Sequence, residues 1–400
     1  MSYYLSRRKV THLVLERARV GERWRTERWD SLRFQFPARY VRLPDFDYDG
    51  LNPDAFLGRD AVVGVLERYA LHIKAPLRCG VNVTSLHRDE NGIFTAKLGQ
   101  DELRARSVVL ATGPYQRPIV PSISAQLPAH IAQLTASTFT RESALPAGAV
   151  LVVGAGGSGV QIAEDLLAAG RETYLCVGQH RRIPRRYRGR DVMHWFETLG
   201  LATSPPPPPN QRPPSPLLTG VDGGYDVDLR RLTQQGGQLL GRLTGVAGGT
   251  LLLGDNLLRD IAAGDQAYRD FVALVDGYVS SHAGVDDAGI DSDLALDATD
   301  ATDAMESWGP LPSAPPAQLN LADAGIAAVI WATGYAVDFS WVGCGGFDEL
   351  GAPKHNRGVC EVPGLYVLGL PFLHSARSSF FWGVADDAEL LAKSLAQHLA

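Results

Sequence analysis

Apolar residues fall along this chain in short blocks separated by glycine and charge. Residues 149–153 (AVLVV), 108–110 (VVL), 173–177 (TYLCV) and 329–331 (VIW) are nearly unbroken apolar runs. Runs of that length without polar alternation fit strands covered on both faces, as in a parallel sheet. Further strand-like runs fall at 12–15, around 77–86, and at 93–98 and 365–370. Helical spacing is read near 62–70, after residue 156 and over 384–398, and residues 1–10 (MSYYLSRRKV) read as the far end of a helix. Strands alternating with helices predict an α/β fold.

The run at 149–153 breaks into Gly154, Gly156 and Gly159 and continues as a helix, AVLVVGAGGSGVQIAEDL. Glycine triplets alone are weak signals, but between a strand and a helix they have a definite use. Gly154 permits the tight turn, Gly156 lets backbone approach a pyrophosphate, and Gly159 lets helix and strand pack closely. The helix N-terminus then aims its free N–H groups, those of Gly157 and Ser158 among them, at the phosphates. An ordinary glycine-rich turn is the weaker alternative. After the strand at 173–177 an NAD-specific fold would place Asp or Glu, but the chain continues GQHRRIPRRYRGR. Arg181 and Arg182 would attract a 2′-phosphate that a carboxylate would repel, so NADPH is expected over NADH. Arg185, Arg186, Arg188 and Arg190 are read as a solvated basic loop.

Two stretches echo each other: VVLATGPY at 108–115 and VIWATGY at 329–335. Each is a strand ending in Ala-Thr-Gly and an aromatic, Ala111, Thr112 and Gly113 in one, Ala332, Thr333, Gly334 and Tyr335 in the other. Paired turns flanking a Gly-x-Gly-x-x-Gly suggest one domain interrupted by another. Here the chain resembles the two-dinucleotide-domain flavoproteins, and within them the flavin-containing and Baeyer-Villiger monooxygenases. The likeness runs from Met1 to about residue 395.

The resemblance implies two Rossmann-like domains of the three-layer ββα type, an FAD domain interrupted by an NADPH domain. Residues 1–118 and 320–400 would form the FAD domain and 119–319 the NADPH domain, with a flexible acidic insertion at 285–307. It implies that the Ala-Thr-Gly turns lie at the crossings, and that Glu16, Arg17, Gly21, Trp24, Trp29, Arg33, Val83 and Asp386 join them around FAD. Each also has a plainer reading. Glu16 could be a strand-end acid, Trp24 and Trp29 aromatic packing, and Asp386 a helix N-terminal acid favoured by the dipole. In the family a first strand and its own phosphate turn precede the sequence that opens this chain. Since that strand is central to the sheet, the expectation is that Met1 is a mis-assigned start or that the chain is truncated.

Two further departures bear on activity. The family carries an Asn near the reacting oxygen; here RFQFPARY places Ala38 there, and Thr135 stands where a His usually precedes the aromatic, Phe139. In such monooxygenases NADPH reduces the flavin, oxygen adds at C4a, and the peroxide transfers oxygen to a small organic substrate, so no Ser-His-Asp set is needed. No catalytic residue is assigned. His194, His355 and His374 are read as structural or surface, with His374 the one placed nearest the flavin. The rivals are an NADPH oxidase or dehydrogenase without oxygen transfer, and a catalytically silent NADPH-binding module.

Composition narrows the rest. Four hundred residues with 45% apolar content suggest two globular domains, and a net charge of −6 argues against nucleic acid as partner. No signal-peptide pattern and no run of about 18 apolar residues is present, so a cytoplasmic protein without membrane contact is expected. Cys79, Cys176, Cys344 and Cys360 lack Cys-x-x-Cys spacing and read as inert thiols, which disfavours the thioredoxin-reductase branch. The Asp spacing at 285–307 does not match a calcium loop, so no metal is expected. The prolines at 205–209 read as a surface polyproline segment.

Overall fold

The computed structural model describes residues 1–205, 207, 208, 214–282, 309 and 315–400. The acidic insertion expected at 285–307 and part of the proline run lie outside the described residues.

The chain opens with α1 (Ser2–Arg7), β1 (Val14–Leu15), α2 (Glu22–Thr26), β2 (Arg33–Pro37), β3 (Phe56–Gly58), α3 (Arg59–His72) and β4 (Leu77–Arg78). A three-stranded antiparallel sheet follows, β5 (Ser85–Arg88), β6 (Phe94–Leu98) and β7 (Asp101–Ala105), and then β8 (Val108–Leu110). The chain crosses on β9 (Arg117–Pro118) into β10 (Ala132–Thr135), β11 (Ala149–Val153), α4 (Gly157–Ala168), β12 (Thr173–Cys176), α5 (Val192–Thr198), α6 (Leu229–Gln234) and β13 (Gln238–Leu240). Next come β14 (Leu243–Ala247), β15 (Thr250–Leu253), the long α7 (Leu257–His282), β16 (Gln318–Asn320) and β17 (Ile326–Trp331). It returns on β18 (Tyr335–Ala336) to β19 (Leu365–Val367) and α8 (Val384–Leu399).

In the nucleotide half a five-stranded parallel sheet runs in the order β10-β17-β11-β12-β13. All five residues of β11 are buried, which is why that segment reads as a continuous apolar run. Val150 and Val152 face α4 through Ile162, Ala163 and Leu166. Leu151 and Val153 face the antiparallel β14-β15-β16 sheet through Val246 and Leu251. The layers are helix, parallel sheet, antiparallel sheet, the ββα arrangement expected.

The other half repeats that layering from both ends of the chain. β8 pairs in parallel with β19, Val109 opposite Tyr366. One face packs on β5-β6-β7 through Leu86 and Phe94, and the other on α8 and α1 through Leu391, Leu395 and Leu5. β1 pairs in parallel with β4, and this ladder and the β8–β19 ladder are separate sheets. One boundary differs from expectation. The strand ending in the second Ala-Thr-Gly, assigned with the 320–400 segment, lies inside the five-stranded sheet between β10 and β11. The chain therefore leaves the nucleotide half at 332–335, not at 320, because an apolar run does not disclose which of two parallel sheets it joins. Among the described residues no helix is long and apolar enough to cross a membrane.

Candidate functional site

Parallel sheets bind ligands beyond the carboxyl ends of their strands, and in both halves those ends carry glycine turns. At the end of β11, Gly154 takes φ +109°, and a Cβ there would come within 2.6 Å of the Ala332 carbonyl oxygen. A Cβ on Gly159 would fall on the Gly154 carbonyl oxygen and meet the Ala332 Cβ at 3.2 Å. Gly156, in contrast, is exposed, and a Cβ there would meet nothing within 4 Å. Two glycines thus close the strand-to-helix turn and one leaves it open, the cradle a pyrophosphate requires. A Cβ on Gly157 would meet Gln35 Nε2 of β2 at 3.0 Å, so the other half of the molecule borders the turn. The half-buried Ser158 lies in the first turn of α4.

The two Ala-Thr-Gly turns meet. β9 and β18 pair antiparallel, Arg117 opposite Ala336 and Pro118 opposite Tyr335. The Ile119 N–H donates to the Gly334 carbonyl (2.9 Å), and the Thr333 hydroxyl donates to the Ile119 carbonyl. Tyr115 and Tyr335 stack edge to face at 5.2 Å, and burial raises the Tyr335 pKa. Gln116 ties the turns from one side chain. Its Nε2 donates to Thr112 Oγ1 and to the Gly113 carbonyl, both at 2.8 Å, and its Oε1 accepts the Asp338 N–H at 2.8 Å. Ala111 and Thr112 are exposed, and Gly113 takes φ +74° with open space where a Cβ would stand.

Beside the first turn, the Leu368 N–H donates to the Leu110 carbonyl (2.9 Å), bringing the carboxyl ends of β8 and β19 together. Gly369 follows with φ +81° and open space at its Cβ position. At the end of β1, the half-buried Glu16 accepts the Ala18 N–H on Oε1 at 3.0 Å. Gly21 caps α2 with φ +70°. Trp24 stacks edge-on to Phe34 at 6.1 Å under the Arg28 guanidinium. Arg17 and Arg33 are exposed, and Val83 packs half-buried on the Leu86–Phe94 cluster. Trp29 is a correction: it is buried in the core beneath the five-stranded sheet, the packing role weighed for it.

The arginine loop divides differently from the reading of the sequence. Arg182 is 2% exposed and lies in the core, bonded to Asp265 and 3.3 Å from Asp228. A 2′-phosphate contact by Arg182 does not fit that placement. Arg181 is half-buried, and no carboxylate pairs with it among the described residues. Burial alone lowers its pKa. Arg185, read as solvated, is also buried: Nη2 donates to Asp191 at 2.7 Å and Nη1 to the Gln35 carbonyl at 2.8 Å, which joins the two halves. Arg188 pairs with Asp276, and Arg186 donates to the carbonyls of Gly223 and Gly224.

Ala38 is fully buried among aromatic side chains, in the cluster of Phe36, Tyr40 and Trp382. Phe139 is equally buried, and Thr135 Oγ1 lies 2.9 Å from Ser137 Oγ. Asp386 is exposed and ion-paired with Arg377 at 2.5 Å. The next residue, Asp387, is the buried acid at the start of α8, and its Oδ2 has no hydrogen-bond partner among the described residues. Nor has Trp382 Nε1. Reading the sequence missed Asp387. The signal available was helical phase, since Asp387 shares a face with the buried Leu391 and Leu395. These orphaned polar atoms, the open Gly113 and Gly369 and the carboxylate of Glu16 suit a flavin dinucleotide. The chain's one Gly-x-Gly-x-x-Gly, at 154–159, suits the nicotinamide partner.

Comparisons with known proteins agree with this geometry. The pyridine nucleotide-disulphide oxidoreductase family profile matches residues 1–192. A CzcO-like oxidoreductase from Geobacillus kaustophilus is 28% identical over 402 residues, covering 100% of this chain and 95% of that protein. The flavin-containing monooxygenase from Stenotrophomonas maltophilia superposes with a TM-score of 0.66 at 16% identity, covering 100% of this chain and 95% of that one. OTEMO in complex with FAD and NADP superposes at 0.52 with 14% identity, covering 99% and 82%. By these likenesses the chain has the fold of the flavin monooxygenases with two dinucleotide-binding domains, and over residues 1–192 it is similar to the pyridine nucleotide-disulphide oxidoreductases. The resemblance read from the paired Ala-Thr-Gly motifs is borne out.

Proposed function

We propose that this chain is an FAD- and NADPH-dependent oxidoreductase of the monooxygenase type acting on a small organic substrate, working in the cytoplasm. The observation that carries the reading is the meeting of the two Ala-Thr-Gly turns beside an open glycine turn. In this reading the NADPH pyrophosphate lies at Gly156 and on the N–H groups of Gly157, Ser158 and Gly159. Glu16 takes a ribose hydroxyl of FAD, and Gly113, Gly369 and the start of α8 border its flavin. Bound FAD supplies hydride acceptance and oxygen chemistry; the protein supplies position and polarity. The Tyr115–Tyr335 pair packs edge to face over the crossings.

One observation favours an oxidase without oxygen transfer. Ala38, where the resemblance read from the sequence implies an Asn, is apolar and fully buried. Purified protein decides between the readings. Flavin absorbance with NADPH and oxygen consumption coupled to an oxygenated product supports the monooxygenase, and consumption yielding only hydrogen peroxide supports the oxidase. Colourless protein that gains thermal stability with NADPH reduces it to a nucleotide-binding module.

Arg181→Glu is expected to reverse coenzyme preference. Losing a charge-assisted contact worth about 1.5–3 kcal/mol should lower NADPH affinity at least about tenfold relative to NADH. Equal losses for both coenzymes in a binding titration would remove Arg181 from the phosphate site.

A further inference from the structure

The carboxyl ends of β11, β12 and β13 lie side by side in the five-stranded sheet, and the third leads to a cation outside the arginine loop. The Gly154 N–H donates to the Cys176 carbonyl (3.0 Å), which sets the glycine turn against the end of β12. The Val177 N–H donates to the Leu240 carbonyl (2.9 Å), which sets the end of β12 against the end of β13. Arg242 follows β13 by two residues. Its guanidinium reaches back over the neighbouring strand end: a Cβ on Gly178 would meet Arg242 Nη2 at 3.8 Å and Nε at 3.9 Å.

The backbone of Arg242 is pinned on both sides. Its N–H donates to Asn256 Oδ1 at 2.7 Å, and its carbonyl accepts the Gly254 N–H at 2.8 Å. Asn256 is 7% exposed, and its Nδ2 also donates to the Val177 carbonyl (2.9 Å), so one buried amide ties the end of β12 to the residue that bears the cation. Gly241 lets the chain pass, since a Cβ there would fall 1.8 Å from the Gly254 carbonyl oxygen. The side chain stays outside this net. Arg242 is exposed, and its guanidinium has no hydrogen-bond or ion-pair partner among the described residues.

An exposed arginine has no role by exposure alone; its place supplies one. In a dinucleotide fold the strand after the glycine turn and its helix ends beside the 2′ position of the adenosine ribose, where an acid selects the hydroxyl of NAD and an arginine accommodates the phosphate of NADP. Here Gly178, half-buried, follows that strand with no side chain, and the charge above it is a guanidinium. The planar fork of donors matches a phosphate dianion.

We propose that Arg242, reaching over Gly178 from the end of β13, binds the 2′-phosphate of NADPH and sets the preference for NADPH over NADH. The inference rests on the proposed binding of NADPH and needs no bound flavin. Arg181 comes from the loop after β12 and Arg242 from the next strand, so mutation separates the two.

Fluorescence titration of the full-length protein with NADPH and with NADH, and displacement of NADPH by adenosine 2′,5′-bisphosphate, test this with Arg242→Ala and Arg242→Lys. Arg242→Ala is expected to weaken NADPH and the bisphosphate at least about tenfold and to leave NADH within about twofold of the parent. Arg242→Lys, which keeps the charge without the fork, is expected to recover part of that loss. Equal losses for NADPH and NADH, as a merely structural role would give, overturn this inference alone, and so does NADPH binding at the parental strength. A parent protein that binds neither coenzyme overturns it together with the proposed function.

Discussion

Gly159→Ala is expected to cost at least about 3 kcal/mol of stability, the upper range for forced overpacking, and to abolish NADPH binding with it. The added methyl has no room, because it would fall on the carbonyl oxygen of Gly154 with Ala332 on its far side. Neither neighbour is a flexible side-chain tip. Gly154 is held at φ +109° by its own approach to Ala332, so the turn cannot open to make space. Gly156→Ala provides the contrast. Its φ of −75° suits any residue and its surroundings are open, so stability should stay within about 0.5 kcal/mol of the parent. Coenzyme affinity should fall nonetheless, since the methyl occupies the pyrophosphate's place. Urea denaturation and nucleotide fluorescence titration read the two effects separately. A stable Gly159→Ala protein, or a Gly156→Ala protein that binds NADPH normally, contradicts the assignment.

Asp265→Ala should destabilise the nucleotide half by about 3–5 kcal/mol, the range for removing one partner of a buried ion pair. Asp265 Oδ2 accepts from Arg230 Nη1 at 3.0 Å, its Oδ1 from Arg230 Nη2 at 2.8 Å, and it also bonds Arg182. Both guanidiniums are 2% exposed, so water cannot replace the carboxylate. The cluster joins α7, which carries Asp265, to α6 and to the loop after β12. Asp30→Ala, which removes a surface partner shared by Arg59 and Arg141, should cost under about 1 kcal/mol. Chemical denaturation of the two variants checks the contrast, and equal losses would mean that the buried cluster is solvated.

What could be read in the sequence was what local backbone physics dictates. The strand, glycine turn and helix at 149–168 are specified by neighbours within a few residues, as are the Ala-Thr-Gly turns. Side-chain direction was not legible in the same way. Arg181 and Arg182 are adjacent and chemically identical, yet one is half-buried and the other is committed to carboxylates 46 and 83 residues away, Asp228 and Asp265. A partial signal existed. Asp265 lies on the same helical face as the buried Ile261 and Tyr268, so its carboxylate had to meet a buried cation. Asp386 and Asp387 differ by one step of about 100° around α8, and that step separates a surface ion pair from the buried acid beside His374. The placement of the run at 326–331 depended on strand pairing across nearly two hundred residues, which no local pattern encodes.

The paired crossings have a mechanical consequence. Because β9 and β18 are hydrogen-bonded to each other, the nucleotide half is slung from a doubled strap rather than from two independent threads. Torsion applied to one strand is carried by its mate, so neither crossing turns without the other. Both Ala-Thr-Gly corners ride on the same strap, which sets the spacing between them.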